Sequence, residues 1–382
     1  MKKSLKEGGI LIKIGIIGHK EVPSYNGGIE AVLTEMIPLI DKDSFEITIY
    51  NRWTTFYKVS EWFKKETYAD CKIVRIPTFK KSFLNAFVYS LLASIHAMFS
   101  RFDIVHYHAE GPSAMSFLPK LTGKKIVITN HGLDWARGKW GGFATKYLKF
   151  GEKMSTKTAN ELIVLSEPIS QYFKSEYDID TEKIPNGINV NEYAMPKLIK
   201  EKFGLESNGY YLAVGRLVEE KGFHYLINAY KQLNTNLKLV IAGGINETDY
   251  CRKLKKLACE NPNIIFTDFV DGDLKQELFS NCWAYIIPSD LEGMSISLLE
   301  ALGYGCKVIA SDIADNKGIF DQQITFFKQG DVNSLTIALR DATPLSKTDK
   351  IGQINFIKNN FNWKTTVNKT ELIYRKVLKH GF

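Results

Sequence analysis

The stretch WAYIIPSDLEGMSISLLEALGYG, Trp283 to Gly305, decides how the rest of the chain is read. Ala284 to Ile287 is an apolar run of strand length, Pro288 and Ser289 interrupt it, and Met294 to Leu302 is a run of helix formers closed by Gly303 and Gly305. The order is strand, loop, helix, with Glu292 in the loop and Glu300 on the helix. Open α/β sheets bind ligands beyond the carboxyl ends of their strands, so this loop is expected to face a cleft. The helix start also offers the N–H groups of Gly293, Met294 and Ser295 to an anionic or hydroxyl-rich ligand.

The same unit recurs upstream. Tyr210 to Val214 reads as a strand, followed by GRLVEEKG, which puts Arg216 at the strand end and Lys221 at the entry to a helix from Phe223 to Leu233. Two cations beside helix-end N–H groups can neutralise a diphosphate without a metal; a solvated loop carrying Glu219 and Glu220 is the plainer alternative. Leu237 to Gly243, Ile264 to Phe266 and Lys307 to Ala310 continue the sheet, with Thr267 to Val270 forming a loop after one strand. Helices are expected over Asp249 to Ala258, Asp273 to Ser280, Val332 to Leu339, Lys350 to Asn359 and Trp363 to Leu378. No closely spaced aspartate pair stands between strands where it would hold a divalent metal, since Asp312 and Asp315 are too far apart and follow a later strand.

Earlier in the chain a second series of the same kind begins at Ile10 to Ile17, a strand leading through Gly18 and Pro23 to the pair Gly27-Gly28 and a helix from Ile29 to about Ile40. Glycines at such a join let backbone N–H groups approach a phosphate, although two glycines also make a simple turn. Strands follow at Phe45 to Tyr50, Lys72 to Ile76, Ile104 to Tyr107, Lys125 to Thr129 and Leu162 to Leu165. Alternation with helices implies a parallel sheet with right-handed crossovers, a Rossmann-like half.

His106 and His108 sit on one strand end and His131 just past another. His106 reads as a packed residue; His131, at a carboxyl end before Gly132, is placed for a ligand. Trp135, Arg137, Lys139 and Trp140 fit either a ligand surface, indoles stacking on sugar rings and cations holding phosphate, or a basic loop before the helix near Ala144 to Lys153. Asn186-Gly187 is a turn dipeptide.

The segment FLNAFVYSLLASIHAMF, Phe83 to Phe99, lies between Lys80, Lys81 and Arg101. It is short and too polar for a membrane span, and reads first as a crossover helix; a third reading rests part of it on a membrane surface.

The chain of 382 residues is long enough for two domains, and 45% hydrophobic with 24% charged residues excludes disordered and fibrous classes. Five scattered cysteines without metal-ligand spacing point to a reduced, cytoplasmic protein with no disulfides or structural zinc. A net charge of +8 fits a nucleotide diphosphate, a lipid headgroup or nucleic acid, and no nucleic-acid motif supports the last. The basic start before an apolar run is interrupted by Lys13 and lacks a cleavage site, so a first strand is expected there, not a signal peptide.

Glu292 and Glu300, seven residues between them, resemble the signature of the retaining glycosyltransferases of family 4, which have the GT-B fold. The ordered set Gly27-Gly28, His131, Asn186-Gly187, Arg216, Lys221, Glu292 and Glu300 extends that resemblance over essentially the whole chain, and IGIIGHKEVPSYNGGIEAVLTEMIPLI is similar to a bacterial subgroup that includes rhamnosyltransferases. The resemblance implies an α/β chain of two Rossmann-like domains facing a central cleft: an acceptor domain over residues 1–190, a nucleotide-sugar domain over 191–362, and a last helix, 363–382, packed back on the first.

Carried over residue by residue, the resemblance gives Glu292 a place near the donor sugar and Glu300 the ribose hydroxyls. Arg216 and Lys221 take the donor diphosphate, with Gly293, Met294 and Ser295 beside them. Gly27 and Gly28 meet the diphosphate or the acceptor, and the backbone near Val270 reads the base. His131 contacts the reacting sugar, His108 matches a less constant position, and the run from Trp135 to Trp140 has counterparts in the subgroup.

The implied activity is retaining and needs neither metal nor cofactor. It moves a hexosyl or deoxyhexosyl unit, rhamnose by the subgroup resemblance, from a UDP- or dTDP-sugar to a hydroxyl of a polyprenyl-diphosphate-linked glycan. Met294 and Ser295 stand where many relatives have Phe and Gly, which leaves the sugar open. A GT-B nucleotide-sugar epimerase and a noncatalytic nucleotide-sugar-binding subunit remain as alternatives.

Overall fold

Parallel strands covered on both faces read as near-continuous apolar runs, and this chain carries such runs in two groups. The computed structural model describes residues 11–53, 66–79, 82–136, 141–190, 192–244, 248–259, 261–319 and 321–379. The described residues up to Gly187, with the helix Trp363–Lys379, form one compact unit, and Ile188–Asn362 form another. The division falls beside the expected boundary near residue 190.

The first unit is built on Ile12–Ile17 (β1), Phe45–Trp53 (β2), Glu66–Tyr68 (β3), Cys71–Pro77 (β4), Ile104–His108 (β5), Lys125–Asn130 (β6), Glu161–Val164 (β7) and Glu182–Lys183 (β8). They form one sheet in the order β3-β4-β2-β1-β5-β6-β7-β8. Neighbours run parallel apart from β3, which is antiparallel to β4. The sequence reading expected a parallel sheet and had no β3. The reason is local: Ala69 and Asp70 both have positive φ, 47° and 62°, and a two-residue turn of that kind folds the chain straight back instead of over a crossover.

The helix Ser82–Phe99 is the crossover that carries the chain from β4 past β1 to β5. Its face of Tyr89, Ala93 and Ala97 packs with Val105, Tyr107, Ile126 and Ile128 in one core. Among the described residues no helix is long and apolar enough to cross a membrane. The helix Trp363–Lys379 buries Trp363, Val367, Ile373, Tyr374 and Val377, with Tyr374 edge-on to Phe45 at 5.7 Å.

The second unit has Tyr210–Val214 (β9), Lys238–Ala242 (β10), Ile264–Asp268 (β11), Ala284–Ile287 (β12), Val308–Ser311 (β13) and Ile324–Phe327 (β14), all parallel, in the order β11-β10-β9-β12-β13-β14. Side chains two apart feed the same core. Tyr210, Leu212, Val240, Ala242, Tyr285 and Ile287 pack on one face, and Tyr211, Ala213, Leu239, Ile241, Ala284 and Ile286 on the other. The strand β14 and the helices Glu167–Tyr177 and Leu198–Phe203 were not expected from the sequence.

Candidate functional site

In the second unit the strand order turns outward from β9 and β12, and the loops at their carboxyl ends carry the residues singled out by sequence. The loop after β9 passes Gly215 and Arg216, makes a short turn of helix at Glu219–Lys221, and enters the helix Phe223–Lys231 through Gly222. Gly222 has φ +64°, and a Cβ there would come within 2.0 Å of the Pro288 carbonyl. Only glycine lets this loop lie against the one after β12. Asp290 N–H then donates to the Glu220 carbonyl at 2.9 Å.

That close approach sets the central contact of the unit. Lys221 Nζ lies 2.6 and 2.7 Å from the two oxygens of Glu292, and Ser289 Oγ donates to Oε1 at 2.6 Å. The Glu292 side chain is 6% exposed and that of Lys221 17%. A carboxylate so deeply placed needs hydrogen-bonding partners to be tolerated, and here it accepts three hydrogen bonds, two from Lys221 and one from Ser289. Ser289 is itself held, its carbonyl taking the Ser311 hydroxyl at 2.6 Å. The Arg216 side chain is exposed and makes no hydrogen bond or ion pair among the described residues.

Ser295 is the N-cap of the helix Ile296–Gly303, its Oγ accepting from Leu298 N–H at 3.4 Å. The helix therefore begins two residues later than the sequence reading had it, because a serine that caps cannot also be the first helical residue. Gly293 and Met294 lie in the loop before the cap. Glu300, within this helix, is bonded through Oε1 to Lys275 Nζ at 2.7 Å. Lys275, from the helix Gly272–Asn281, was not foreseen. Val270 buries its side chain in the core, after a sharp reversal at Asp268 with φ +64°.

In the first unit the strand order turns outward from β1 and β5. Gly18 leaves β1 with φ +131°, and a Cβ there would meet the His108 carbonyl at 2.1 Å. The next residue, His19, donates from Nε2 to Asn51 Oδ1 at 2.9 Å, which leaves its Nδ1 a lone pair. That Nδ1 and His108 Nε2 are buried and unpartnered. His108 Nδ1 is 2.9 Å from His131 Nε2, and His106 is held by Tyr374 Oη and Thr129 Oγ1, both at 2.8 Å.

Burial pushes His131 down to about 4, against the opposing charges of Asp134 and Glu30, and pushes His19 down to about 4 and His106 to about 3. Burial, with its histidine neighbours, lowers His108 well below the usual value too. At neutral pH all four are uncharged and act as hydrogen-bonding groups. A cavity of about 20 Å³, room for one water, lies among His106, His108, His131, Asn186 and Thr370.

Gly27 caps the helix Gly28–Met36 without a side-chain bond, and Gly28 has no atom within 4 Å of where a Cβ would stand, so the backbone there is open to a ligand. Glu30 in that first turn accepts from Lys20 N–H at 2.8 Å.

Trp135 is bound inward. Its indole N–H donates to Glu152 at 2.6 Å, its backbone N–H to Glu110 at 3.3 Å, and the Lys149 ammonium stands 4.5 Å over its ring. Glu152 also accepts from the hydroxyls of Tyr172, at 2.9 Å, and Tyr177. Burial and the neighbouring Asp134 and Glu152 push the Glu110 carboxyl well above the usual range. Arg137, Lys139 and Trp140 lie outside the described residues.

Sequence reasoning missed His19, Asn51, Ser289, Lys275, Glu110 and Glu152. His19 carried a usable signal, standing just past a strand and a glycine as His131 does. The two glutamates carried none, since a carboxylate on a helix reads as a solvated charge until its burial is known.

Two family models match. One, described as Glycosyltransferase Family 4, matches residues 26–192, and one described as Glycosyl transferases group 1 matches residues 197–351. An uncharacterized glycosyltransferase of Methanocaldococcus jannaschii is 28% identical over 49% of this chain and about half, 52%, of its own length. The O-antigen chain mannosyltransferase of Salmonella typhimurium is 26% identical over 63% of this chain and 71% of its own. An Escherichia coli enzyme, UDP-Gal:alpha-D-GlcNAc-diphosphoundecaprenol alpha-1,3-galactosyltransferase, is 25% identical over 94% of this chain and 96% of its own. In fold, the chain is similar to sucrose-phosphate synthase of Thermosynechococcus elongatus, with a TM-score of 0.79 at 17% identity over 97% of this chain and all of that one.

Proposed function

The chain is a glycosyltransferase with the GT-B fold, and we propose that it moves a sugar from a UDP- or dTDP-sugar to a hydroxyl of a polyprenyl-diphosphate-linked glycan in bacterial surface polysaccharide synthesis. Transfer retains the anomeric configuration and needs no metal or cofactor. The observation that carries this reading is the Lys221–Glu292 pair at the carboxyl ends of β9 and β12, with the unpaired Arg216 on the same loop as Lys221. The galactosyltransferase relative, whose name gives a UDP-sugar donor and a lipid-diphosphate acceptor, supports the substrate classes. Rhamnose is the proposed sugar, on the subgroup resemblance alone.

In the step proposed, the bond from the anomeric carbon to the diphosphate oxygen breaks as the acceptor oxygen bonds to that carbon from the same face. The acceptor proton passes to the departing phosphate oxygen. Charge grows on the diphosphate, where Arg216, Lys221 and the loop amides of Gly293 and Met294 receive it. Without donor, Lys221 and Glu292 satisfy each other; an arriving diphosphate competes for the ammonium and leaves Glu292 to orient the sugar and offset its positive charge. Glu300 keeps Oε2 for the ribose while Lys275 holds Oε1.

The test is nucleotide release by the purified protein across UDP- and dTDP-sugars with EDTA present. One donor is expected to be hydrolysed slowly, and Lys221→Ala and Glu292→Ala to reduce the rate about 100-fold or more. Binding of a nucleotide without release from any donor, even with lipid-linked acceptor supplied, assigns the chain to the noncatalytic subunit instead. An inverted product, or activity restored only by added magnesium, overturns the retaining or the metal-free part.

A further inference from the structure

We infer that one face of the first unit, formed by the helices Ser82–Phe99 and Gly142–Thr158, docks on an anionic lipid bilayer surface. The first helix carries no Asp, Glu, Lys or Arg. While Tyr89, Ala93 and Ala97 face the core, Leu84, Leu92, Ile95 and Phe99 are exposed, Phe99 at 79%. A crossover helix on a sheet ordinarily turns polar residues outward; this one turns an aliphatic stripe.

The second helix lies beside it, Tyr147 meeting Phe87 edge-on at 5.6 Å. Along it Phe143, Lys146, Phe150, Lys153 and Lys157, spaced by three and four, share one exposed stripe. Its only carboxylate, Glu152, is buried on the opposite side. Leu121, 74% exposed, extends the apolar area past the end of the first helix, where Thr122 Oγ1 donates to the Met98 carbonyl at 3.2 Å.

The occupant must remove aromatic and aliphatic side chains from water and meet a row of ammonium groups with negative charge. A headgroup layer does both at one depth, with phenyl rings below the phosphates and lysine stems reaching up to them. Lysine is depleted at protein–protein interfaces, which argues against a second copy or another subunit. The net charge of +8 has the matching sign.

The inference stands apart from the transferase reading, because binding to vesicles is measured with neither donor nor acceptor present. The full chain is floated with vesicles of phosphatidylethanolamine and phosphatidylglycerol, and with phosphatidylcholine alone. Partition is expected on the anionic vesicles, weakening with added salt, and falling about five-fold for each lysine removed. The pair Lys146→Glu/Lys153→Glu is expected to lose at least about 25-fold, and Phe99→Ser/Phe150→Ser at least about ten-fold, both with wild-type melting temperature. Equal partition on the two vesicle types, or partition that neither pair alters, overturns the inference. So does a doubled mass in solution that the same substitutions halve, which assigns the face to a second copy.

Discussion

Among single residues, the buried histidines set the behaviour of the first unit with pH. His106 and His131 are held down to about 3 and about 4 by burial, against about 6.5 in the unfolded chain. A lowered folded value means the stability is fully present above the unfolded value and is lost as pH falls toward the folded one. The loss therefore begins below about pH 6.5, and by pH 5 each such histidine costs about 2 kcal/mol. Glu110, pushed up by burial, has the opposite sign: its neutral form favours the fold at low pH, so it opposes the loss in the acid range. Urea unfolding is expected to show stability falling between pH 7 and pH 5, with a smaller fall in His106→Gln. Parallel curves for the two proteins would remove the histidines as the cause. At this scale the sequence marked His131 by its place past a strand, but the pairing with His108 and the neutral state of both depend on neighbours 23 residues away that spacing does not reveal.

For the elements, the strands were the legible part, because an apolar run covered on both faces needs no partner to be recognised: Tyr210–Val214 and Ala284–Ile287 lie where the sequence places them. Short or edge elements such as Glu66–Tyr68 were not, since an edge strand carries no such run. The loops were legible in composition only. Gly222 illustrates the difference: the sequence offers a glycine after a lysine, and the structure shows its backbone pressed on Pro288 with φ +64°. Gly222→Ala is expected to destabilise the protein by roughly 2 kcal/mol, from the left-handed backbone and the contact together. It is also expected to weaken nucleotide binding measured by calorimetry, because the loops bearing Lys221 and Glu292 must part. A loss of stability with unchanged binding would separate the glycine from the site.

For the whole molecule, the helix Trp363–Lys379 is last in the chain yet belongs to the first unit, where Tyr374 bonds to His106 and packs on Phe45. Its five buried apolar side chains, Trp363, Val367, Ile373, Tyr374 and Val377, contribute of the order of 10 kcal/mol, as much as the stability of a whole domain. Removing residues 363–382 is expected to leave the first unit unfolded and open to limited proteolysis, while residues 188–362 resist; equal resistance of both would show that the helix is dispensable. By itself the sequence determined that there are two series of strands alternating with helices, and that Arg216, Lys221, Glu292 and His131 lie in the segments that follow strands, because apolar periodicity and turn residues act within a dozen positions. Only the tertiary structure decided that Lys221 closes on Glu292, that Glu300 already holds Lys275, and that Trp135 is bound inward to Glu152. Those are contacts between distant segments, and whether a carboxylate is a solvated charge or a buried partner depends on what folding places around it.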